Sequence, residues 1–482
     1  MEIFNLNYNI LKRTAIAIVF LLFALSLAVK IDLPTADLGR HIKNGEIVLN
    51  GGAEARSAIL QTNFYSYTET DFPFINHHWL SGVVFYVVEK AAGFTGLSIM
   101  YILLSLVSLG IFVKITAQKV GIERTIPFIL LAIPVIASRA EVRPEVFTYF
   151  FCAFFFYICE KVSSKQISIK WLYILPILEI IWVNLHSGFI FGIFITGMYF
   201  MKLPIKHFSI SMSLIILATL INPSGLQGAL VPFTIFNNYG YRVVENQSIP
   251  FLENLGVGNK VAFISFKILS VITALSLILS FRRKINIPQA TFAVVFGVMS
   301  YMAIRNFPLF GYFAIPAGVI YFNKSILEKT VLVILGLIGL FFTISIINLH
   351  KNDFGLGLRP GVNNAAEFFK SHSLKGPVFN NYDIGGYLIY HLYPQEKVFY
   401  DNRPEAYSSD FSQSTYVASL ENPELFKKLD EKYHFNSIFF YHRDYTHWAQ
   451  KFLIEKTKDP EWITVFSDED NIILIKSRIR PL

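Results

Sequence analysis

The stretch Asp32-Leu-Pro-Thr-Ala-Asp37-Leu-Gly-Arg40-His41-Ile-Lys-Asn-Gly45-Glu46 directly follows an apolar run at residues 14–31. That run is long enough to cross a bilayer, because about 20 apolar residues in a helix match the thickness of the hydrocarbon core. The polar segment after it continues to His78. The sequence therefore predicts a membrane helix followed by a long polar loop, with Asp37 near the start of that loop.

The overall composition predicts many more spans of the same kind. Hydrophobic residues make up 53% of the 482 residues, whereas charged residues make up 16%. A soluble protein of this composition would expose large apolar patches. Further membrane-length runs are at 95–113, 125–138, 145–160, 171–185, 187–203, 207–221, 261–281, 288–304, 307–322 and 330–348. We therefore predict an α-helical polytopic membrane domain with about 11 spans.

The positive charge is distributed over short connections between these runs rather than gathered in one patch. The net charge is +8, and the basic residues in these short connections are Lys12, Arg13, Lys114, Lys119, Arg124, Lys161, Lys165, Lys170, Lys202, Lys206, Arg282, Arg283, Lys284, Lys324 and Lys329. Positively charged loops remain cytoplasmic, and counting the spans in order places all of these residues inside. This pattern predicts a cytoplasmic N-terminus and argues against a nucleic-acid partner.

One apolar segment, residues 79–92, is too short to fit this topology as a span. It ends at Glu89 and Lys90, and apolar runs of about 10–14 residues are typical of interfacial or re-entrant helices. If it crossed the membrane, the basic loops after it would face outward. We therefore predict that residues 79–92 do not cross, and that residues 31–92 form a first outer loop with interfacial helices.

The chain changes character at about His350. Residues 1–349 form the predicted membrane domain, and residues 350–482 have the mixed composition of a soluble domain. Helices are predicted at 363–371, 384–391 and 446–456, with strands at 377–379, 397–400 and 437–441 and a hairpin at 462–475. This alternation indicates an extracytoplasmic α/β domain, since an odd number of spans separates it from the N-terminus.

The polar residues that face outward in this topology differ from the basic residues that face inward. The outward turns contain Asp37, Arg40, His41, Asn76, His77, His78, Arg139, Glu141, Arg143, Glu145, Asn184, His186, Asn222, Arg242, Glu245, Arg305 and Asn306. Ionisable groups at membrane depth usually face a cavity or one another. Arginine binds phosphate bidentately, and a carboxylate such as Asp37 can act as a general base. This combination suggests sugar transfer from a lipid phosphate.

Short motifs along the chain resemble a family of bacterial multi-pass proteins. They begin with Asp37-Leu-Gly-Arg40-His41, Asn63-Phe-Tyr-Ser-Tyr-Thr68 and Asn76-His-His-Trp-Leu80. The family pattern is Asp-x-x-Trp-His, then Phe-Ser-Tyr-Thr, then His-x-Trp-Leu. Arg40 replaces the aromatic residue of this pattern, and Asn63 replaces an aspartate. Further matches are Arg143-Pro144, Trp182-Val-Asn-Leu-His-Ser-Gly188, Asn222-Pro-Ser-Gly225, Asn381-Tyr-Asp-Ile-Gly-Gly-Tyr-Leu388 and Val398-Phe-Tyr-Asp-Asn-Arg-Pro-Glu-Ala-Tyr407.

This family belongs to, or lies close to, the GT-C superfamily of membrane glycosyltransferases that use polyprenyl-phosphate sugars. The resemblance implies a GT-C-like fold and an outer-leaflet active site in the bacterial inner (cytoplasmic) membrane. It implies transfer of a hexosyl or pentosyl group from a polyprenyl-phosphate donor to an envelope glycan, lipid or protein acceptor. Membrane lipids are the other expected partners.

The resemblance also implies roles for individual residues. Asp37 matches the acidic residue of the first outer loop that activates the acceptor, and Glu141, Glu145 and Glu245 are candidates for a second acidic residue. We name Asp37 and Glu141 as catalytic candidates. The substrate-binding candidates are Arg40, His41, His78, Arg139, Arg143, Asn184, His186, Glu245 and Arg305. No cofactor is expected; the absence of an adjacent acidic pair weakens the case for a divalent metal and leaves it open.

Each of these assignments has a structural alternative. Asp37 also suits the N-cap of a helix beginning at Leu38, and the arginines have Glu141 and Glu145 as ion-pair partners. Asp401 and Arg403 either contact an acceptor or belong to the turn around Pro404. For the whole protein, the alternatives are a transporter or flippase of a lipid-linked sugar and a non-catalytic envelope assembly protein. Internal repeats or broken helices typical of transporters are not evident.

Overall fold

The fold is described from a computed structural model that covers residues 2–237, 239–280, 286–319 and 326–477. The predicted basic residues Arg282, Arg283, Lys284 and Lys324 lie outside the described residues. Helices dominate the first 350 residues, and a small sheet with flanking helices follows.

The helices of the first part, numbered along the chain, are α1 (Glu2–Leu27), α2 (Leu38–Asn50), α3 (Ala53–Gln61), α4 (Trp79–Val120), α5 (Ile122–Ile136), α6 (Glu145–Ser163), α7 (Leu175–Leu185), α8 (Ile190–Met198), α9 (Ile205–Ala218), α10 (Gly225–Thr234), α11 (Ile249–Asn254), α12 (Lys260–Leu279), α13 (Ile287–Met302), α14 (Phe307–Gly318) and α15 (Ile326–Leu349). Short 3-10 turns connect several of them, including Ala137–Arg139 and Ile304–Asn306.

The apolar helices make this a multi-pass membrane protein. In the described part of the chain, five helices are long and apolar enough to span a bilayer: Ile10–Leu27 within α1, α4, α6, α12 and Glu328–Leu349 within α15. Three shorter apolar stretches are Ser187–Lys202, Ile205–Ala218 and Ile287–Met302. The count of about 11 spans stays a prediction.

Phenylalanine and glycine determine how these helices pack. The chain contains 47 phenylalanines, and the rings of Phe112, Phe156 and Phe313 meet at centroid distances of 4.9–5.4 Å in the core between α4, α6 and α14. Gly339 of α15 lies so close to Leu130 and Leu131 of α5 that a Cβ would meet their backbone. Such close approach through small residues is a common basis of helix association in membranes.

The polar loop predicted at residues 31–92 contains α2, α3 and the first part of α4. Helix α4 has 42 residues but bends at Gly93, whose φ of +62° interrupts the helical backbone. The bend falls directly after the segment 79–92 that we predict to be interfacial, and it separates that segment from the apolar run after it. A Cβ on Gly45 of α2 would collide with the Gly82 carbonyl of α4, so two glycines allow these helices to pack backbone to backbone.

The C-terminal part is an α/β unit, as the sequence predicts. Its helices are α16 (Asn364–Ser371), α17 (Gly385–Leu392), α18 (Ala418–Glu421), α19 (Pro423–Tyr433) and α20 (His447–Lys458), and its strands are β1 (Val378–Asn380), β2 (Ser437–Tyr441), β3 (Trp462–Ser467) and β4 (Asn471–Lys476). The strand order is β1-β2-β4-β3. Strands β1 and β2 are parallel, whereas β2 with β4 and β3 with β4 are antiparallel.

The prediction of a strand at residues 397–400 is wrong. Only Val398 pairs in the manner of a sheet, forming isolated bridges to Ser66 and Val378. The Asn380 side chain accepts a hydrogen bond from Phe399 N at 2.9 Å and donates to Tyr400 O at 2.7 Å. An amide side chain thus takes the backbone groups that a neighbouring strand would otherwise pair.

The C-terminal unit lies directly on the first polar loop. Helix α17 packs on α2, where a Cβ on Gly39 would meet Tyr390 Cβ and the Gly386 carbonyl. Arg40 Nε donates to Asn402 Oδ1 at 3.2 Å. Residues distant in sequence therefore surround the region next to Asp37.

Candidate active site

Asp37 lies at the N-cap position of α2, but its carboxylate does not cap the helix. Its side chain makes no cap hydrogen bond. Instead, Oδ2 is 3.5 Å from Arg40 Nη2 and 3.6 Å from His41 Nε2, and Oδ1 is 3.9 Å from Arg143 Nε. Oδ1 is buried and has no hydrogen-bond partner in the described chain. The position of Asp37 thus fits the capping alternative, but its backbone is in the αR region and its carboxylate faces Arg40, His41 and Arg143.

The neighbouring cations keep the Asp37 carboxyl ionised. Burial alone would raise its pKa, because a charge is poorly solvated away from water. The positive charge of Arg143, the proximity of His41 Nε2 and the charge of Arg40 outweigh burial and hold the pKa of Asp37 well below its usual value. Asp37 is therefore an anion at neutral pH.

The arginines next to Asp37 are paired with glutamates. Arg139 Nη2 and Arg143 Nη1 both contact Glu245 Oε2, at 2.6 and 2.7 Å. Arg143 Nε also contacts Glu141 Oε2 at 2.6 Å. Arg143 therefore lies between Asp37 and two glutamates. This arrangement is the ion-pair alternative that the sequence left open.

Arg305 belongs to the same group of charges from the other side. Its Nη2 is 3.3 Å from Glu145 Oε1, and its Nη1 donates to Asn246 Oδ1 at 3.0 Å. Arg139 approaches Glu145 at 3.9 Å. Four arginines, at 40, 139, 143 and 305, thus lie among four carboxylates, at 37, 141, 145 and 245.

Two of the glutamates differ in exposure. Glu245 has a side chain that is 14% exposed, whereas that of Glu141 is 56% exposed. Burial favours the neutral acid at Glu245, but Arg139, Arg143 and Arg305 lower the pKa of Glu245 to about 2. The Arg143–Glu141 pair is close to solvent, so it is the weaker of the two pairs that Arg143 forms.

Four histidines form the other wall of the site. The ring centroid of His78 is 5.4 Å from that of His41, 5.0 Å from that of His186 and 3.9 Å from that of His77. Both ring nitrogens of His41 and Nε2 of His77 and His78 are buried and form no hydrogen bond with any residue that the structure describes. Burial lowers the pKa of His41, His77 and His78, so these rings are neutral.

The structure brings almost all of the sequence-derived candidates together. Asp37, Arg40, His41, His78, Arg139, Glu141, Arg143, His186, Glu245 and Arg305 lie in one connected group through the contacts above and the electrostatic interaction of His186 with Glu145 and Arg305. Asn184 is different, because its amide is used to join helices. It accepts from Trp79 Nε1 at 2.9 Å and donates to Ile180 O and Ile221 O.

Sequence reasoning missed two amides of the site, Asn246 and Asn402. Asn246 holds Arg305 and Asn402 holds Arg40. Asn402 follows Asp401 in the motif Val398–Tyr407 of the C-terminal unit. The resemblance of this motif to the family pattern was the one feature of the sequence that could have identified Asn402 as a site residue. Among the described residues, no group of three or more His, Cys, Asp and Glu is arranged to hold a metal ion.

No protein-family model matches the chain, and no curated protein matches it either. Solved structures do match. The apo oligosaccharyltransferase of Archaeoglobus fulgidus aligns with a TM-score of 0.59 and 10% identity, over 94% of this chain and 73% of that one. The same enzyme in complex with Zn and sulfate gives 0.57 and 11% identity, over 95% and 73%.

ArnT from Cupriavidus metallidurans bound to undecaprenyl phosphate is also similar in structure. It aligns with a TM-score of 0.56 and 11% identity, over 97% of this chain and 99% of that one. At this identity, the likeness concerns the fold. The chain shares the fold of these two enzymes, and the GT-C-like fold expected from the sequence motifs is thereby confirmed.

Proposed function

We propose that this protein is a membrane glycosyltransferase that uses a polyprenyl-phosphate sugar as donor. The acceptor would be an envelope glycan, lipid or protein at the outer leaflet. The observation that carries the proposal is the unsatisfied polar surface around Asp37. Buried polar atoms in folded proteins almost always have hydrogen-bond partners, whereas Asp37 Oδ1, both nitrogens of His41 and Nε2 of His78 have none among the described residues.

The fold adds support of a different kind. The two proteins with similar structures, the oligosaccharyltransferase and ArnT, are GT-C glycosyltransferases, and the ArnT structure contains undecaprenyl phosphate. The likeness concerns the fold, and the chemistry proposed for this chain is derived from the residues around Asp37. That chemistry combines an ionised carboxylate, arginines and neutral histidines in one partly buried site.

Asp37 would be the base of an inverting transfer. The acceptor hydroxyl oxygen attacks the anomeric carbon, the bond between that carbon and the phosphate oxygen breaks, and the hydroxyl proton passes to Asp37. The leaving group is the polyprenyl phosphate, which departs with the bonding electron pair. A carboxylate with a strongly lowered pKa is a weak base, so this role requires its basicity to rise when substrates bind.

Donor binding supplies that change. Arg143 is the largest favourable influence on ionised Asp37, and a phosphate that binds Arg143 brings a negative charge into the site. Both effects would raise the pKa of Asp37, because its anion then has less positive charge to stabilise it. Binding of the donor would therefore turn a weak base into a stronger one.

The position of Glu141 indicates how a phosphate reaches Arg143. Glu141 is the most exposed carboxylate of the group and holds Arg143 Nε at 2.6 Å. A phosphate oxygen replacing this exposed carboxylate keeps Arg143 paired, while the buried Glu245 remains in place. We therefore assign Glu141 the role of a carboxylate displaced by the donor, in preference to the second catalytic acid expected from the sequence.

The proposal includes the orientation of the protein. The N-terminus and the basic loops would be cytoplasmic, and residues 350–482 would form the extracytoplasmic domain above the active site in the bacterial inner membrane. The contact of Arg40 with Asn402 supports placing the C-terminal unit on the side of Asp37. Residues 1–349 would form the membrane domain, with residues 79–92 lying at the interface without crossing.

The test is a transfer assay with purified protein in nanodiscs. A panel of undecaprenyl-phosphate hexoses and pentoses is offered with envelope glycan and lipid acceptors, and released undecaprenyl phosphate is measured. For Asp37→Asn we expect a loss of about 100-fold or more, the usual contribution of a general base. Wild-type activity in this variant would remove Asp37 from the mechanism.

Asp32→Asn is the matched control for that variant. Asp32 lies on the same loop and pairs with Arg359 Nη2 at 2.9 Å, away from the arginine and histidine group. We expect transfer by Asp32→Asn to remain within about twofold of wild type, since surface ion pairs contribute little. An equal loss in both variants would point to damage of the loop and would contradict a specific role for Asp37.

A further inference from the structure

One ring nitrogen of His186, Nδ1, is fully engaged in hydrogen bonds. Gly188 N donates a hydrogen bond to His186 Nδ1 at 3.0 Å, and Thr148 Oγ1 is 2.8 Å from the same atom. A backbone N–H can only donate, so Nδ1 must be an acceptor and carries no proton. The Thr148 hydroxyl therefore also donates to Nδ1.

The orientation of Thr148 is fixed in turn by Trp182. The indole Nε1–H of Trp182 donates to Thr148 Oγ1 at 3.2 Å, and an indole nitrogen cannot accept. The hydroxyl thus accepts from Trp182 and donates to His186. All three side chains are buried, with Thr148 at 2% and Trp182 at 0% exposure, so water does not compete for these bonds.

Gly188 is required for this arrangement. A Cβ at position 188 would overlap Thr148 Oγ1 and approach His186 Nδ1 to 3.0 Å. The backbone N–H of residue 188 reaches the ring because this space is free of a side chain. The motif His186-Ser-Gly188 therefore encodes a hydrogen bond rather than only a close packing of helices.

A neutral histidine with an unprotonated Nδ1 carries its proton on Nε2. Burial, the dominant influence, and the charge of Arg305 lower the pKa of His186 to about 4 despite the opposing charge of Glu145. The ring is thus neutral at pH 7. Nε2 forms no hydrogen bond in the ranges that the structure describes, and it lies on the ring edge opposite Nδ1.

The charged and titratable groups around the His186 ring determine which ligands its Nε2–H can contact. They come from every neighbouring element: His78 before α4, Glu145 at the start of α6, Arg305 after α13, and Asp37 and His41 at the start of α2. Since His41 and His78 are neutral, Arg305 is the one cation in this set. An anionic oxygen bound to Arg305 would lie in the same region as the Nε2–H.

We propose that Trp182, Thr148 and the Gly188 backbone fix His186 in the Nε2–H tautomer, and that this N–H donates to a phosphate oxygen of the lipid donor. The inference rests on the proposed function for the identity of the ligand, but not for the tautomer. His186 would be a substrate-binding donor, and Thr148 and Trp182 would be positioning residues. A neutral donor of fixed direction stabilises the charge that develops on a leaving phosphate without having to reorient.

The test is nitrogen NMR of the full-length protein in nanodiscs with 15N-labelled histidine. The chain has 11 histidines, and the His186→Gln variant identifies the signals of His186. We expect an unprotonated Nδ1 and a protonated Nε2 at pH 7 in the wild type. Adding undecaprenyl phosphate should shift the Nε2 signal, whereas dodecyl alcohol, which lacks phosphate, should not.

Thr148 variants separate positioning from packing. Thr148→Val retains the shape but loses the hydroxyl, so one of the two donors to Nδ1 is removed while the Gly188 N–H remains. We expect the Nε2–H tautomer to stay dominant with a minor fraction of the other tautomer, and kcat to fall about fivefold, the size of one lost hydrogen bond. Thr148→Ser retains the hydroxyl and should restore both the tautomer and kcat to within about twofold. Equal losses in the two variants would overturn the positioning role.

Two results would overturn the inference as a whole. One is a protonated Nδ1 in the wild type, and the other is an unchanged Nε2 signal when bound undecaprenyl phosphate saturates the protein. Neither measurement requires sugar transfer. If NMR shows a protonated Nδ1, this inference is refuted even when Asp37→Asn abolishes transfer. If NMR shows a protonated Nε2, the tautomer assignment stands even when Asp37→Asn is fully active.

Discussion

Two of the aspartate–arginine pairs in the molecule differ in how completely their hydrogen-bonding groups are satisfied. Asp401 and Arg403 lie in the C-terminal unit and are 0% and 2% exposed. Asp401 Oδ1 accepts from Arg403 Nε at 2.7 Å and from its backbone N at 3.1 Å, while Oδ2 accepts from Arg403 Nη2 at 2.6 Å and from Tyr407 OH at 3.0 Å. Both carboxylate oxygens are fully used.

The second pair, Asp37 and Arg143, is loose. Its atoms are 3.9 Å apart, the Asp37 side chain is 23% exposed, and Oδ1 has no hydrogen-bond partner in the part of the chain that the structure describes. A buried pair whose oxygens all accept hydrogen bonds stabilises a fold, whereas an ionised carboxylate with an oxygen that no described residue bonds can accept a hydrogen bond from a ligand. Satisfaction of hydrogen bonds, rather than charge, therefore separates the structural pair from the candidate site.

The largest expected effect concerns transfer activity. Asp37→Asn should lower kcat by about 10²–10⁴-fold, because the base of the reaction is removed. Its thermal unfolding midpoint should change much less than that of Asp401→Asn in the same nanodiscs. If Asp37→Asn unfolds as early as Asp401→Asn, the distinction between the two pairs is wrong.

The next effect concerns stability. Asp401→Asn leaves the buried Arg403 guanidinium without its counter-charge, which should lower the free energy of unfolding by about 3–5 kcal/mol. Chemical denaturation followed by tryptophan fluorescence measures this value. A loss below about 1 kcal/mol would show that the pair is not structural.

A smaller effect is expected at Arg143. Arg143→Lys retains the positive charge but loses the planar fork that suits phosphate, so KM for the donor should rise about tenfold. The matched control is Arg359→Lys, since Arg359 pairs with Asp32 and Asp470 outside the site. A donor KM that rises equally in both variants would argue against phosphate binding at Arg143.

Glu141→Gln should change the KM for the donor in the opposite direction. Removing the exposed carboxylate that competes for Arg143 should lower KM for the donor about two- to fivefold, the size of an exposed ion pair. Glu253→Gln removes a comparable exposed partner, that of Lys267, and should leave KM unchanged. A higher KM in Glu141→Gln would assign Glu141 to substrate binding or catalysis instead.

The last expected effect is a pH dependence of stability at Glu245. Its pKa is about 2 in the folded protein against an ordinary value of 4.5. Such a lowered pKa stabilises the fold above the ordinary value, and the contribution disappears as the pH falls towards 2. Unfolding midpoints of wild type and Glu245→Gln should therefore differ at pH 7 and converge near pH 2. A constant difference across this range would contradict the assignment.

The grouping of the site was predictable because helix ends alternate between the two sides of a membrane. Arg143 and Arg305 each lie next to an apolar run, so the number of spans alone places them on the side of Asp37. The choice of partners was not predictable. Arg143 and Glu245 are 102 residues apart in sequence. Their contact depends on how the 3-10 turns and helices pack, and the periodicity of the sequence does not encode that packing.

In the C-terminal unit too, the sequence predicted most of the elements but not the hydrogen-bond partners of their residues. The pattern of short apolar runs identified β2 and the hairpin of β3 and β4, and β2 and β4 are buried along most of their length. It failed at residues 397–400, where the amide of Asn380 replaces a strand as hydrogen-bond partner. The contact of Arg40 with Asn402, 362 residues apart, also required the three-dimensional structure.

We propose that the donor reacts beside Asp37 and Arg143. A cryo-electron microscopy structure of the protein in nanodiscs with undecaprenyl phosphate tests it most directly. We predict phosphate density in contact with Arg143 and Arg305, with Glu141 displaced from Arg143 and Glu245 still in place. Phosphate density elsewhere, with the Arg143–Glu141 pair intact and Asp37 unapproached, would contradict the account.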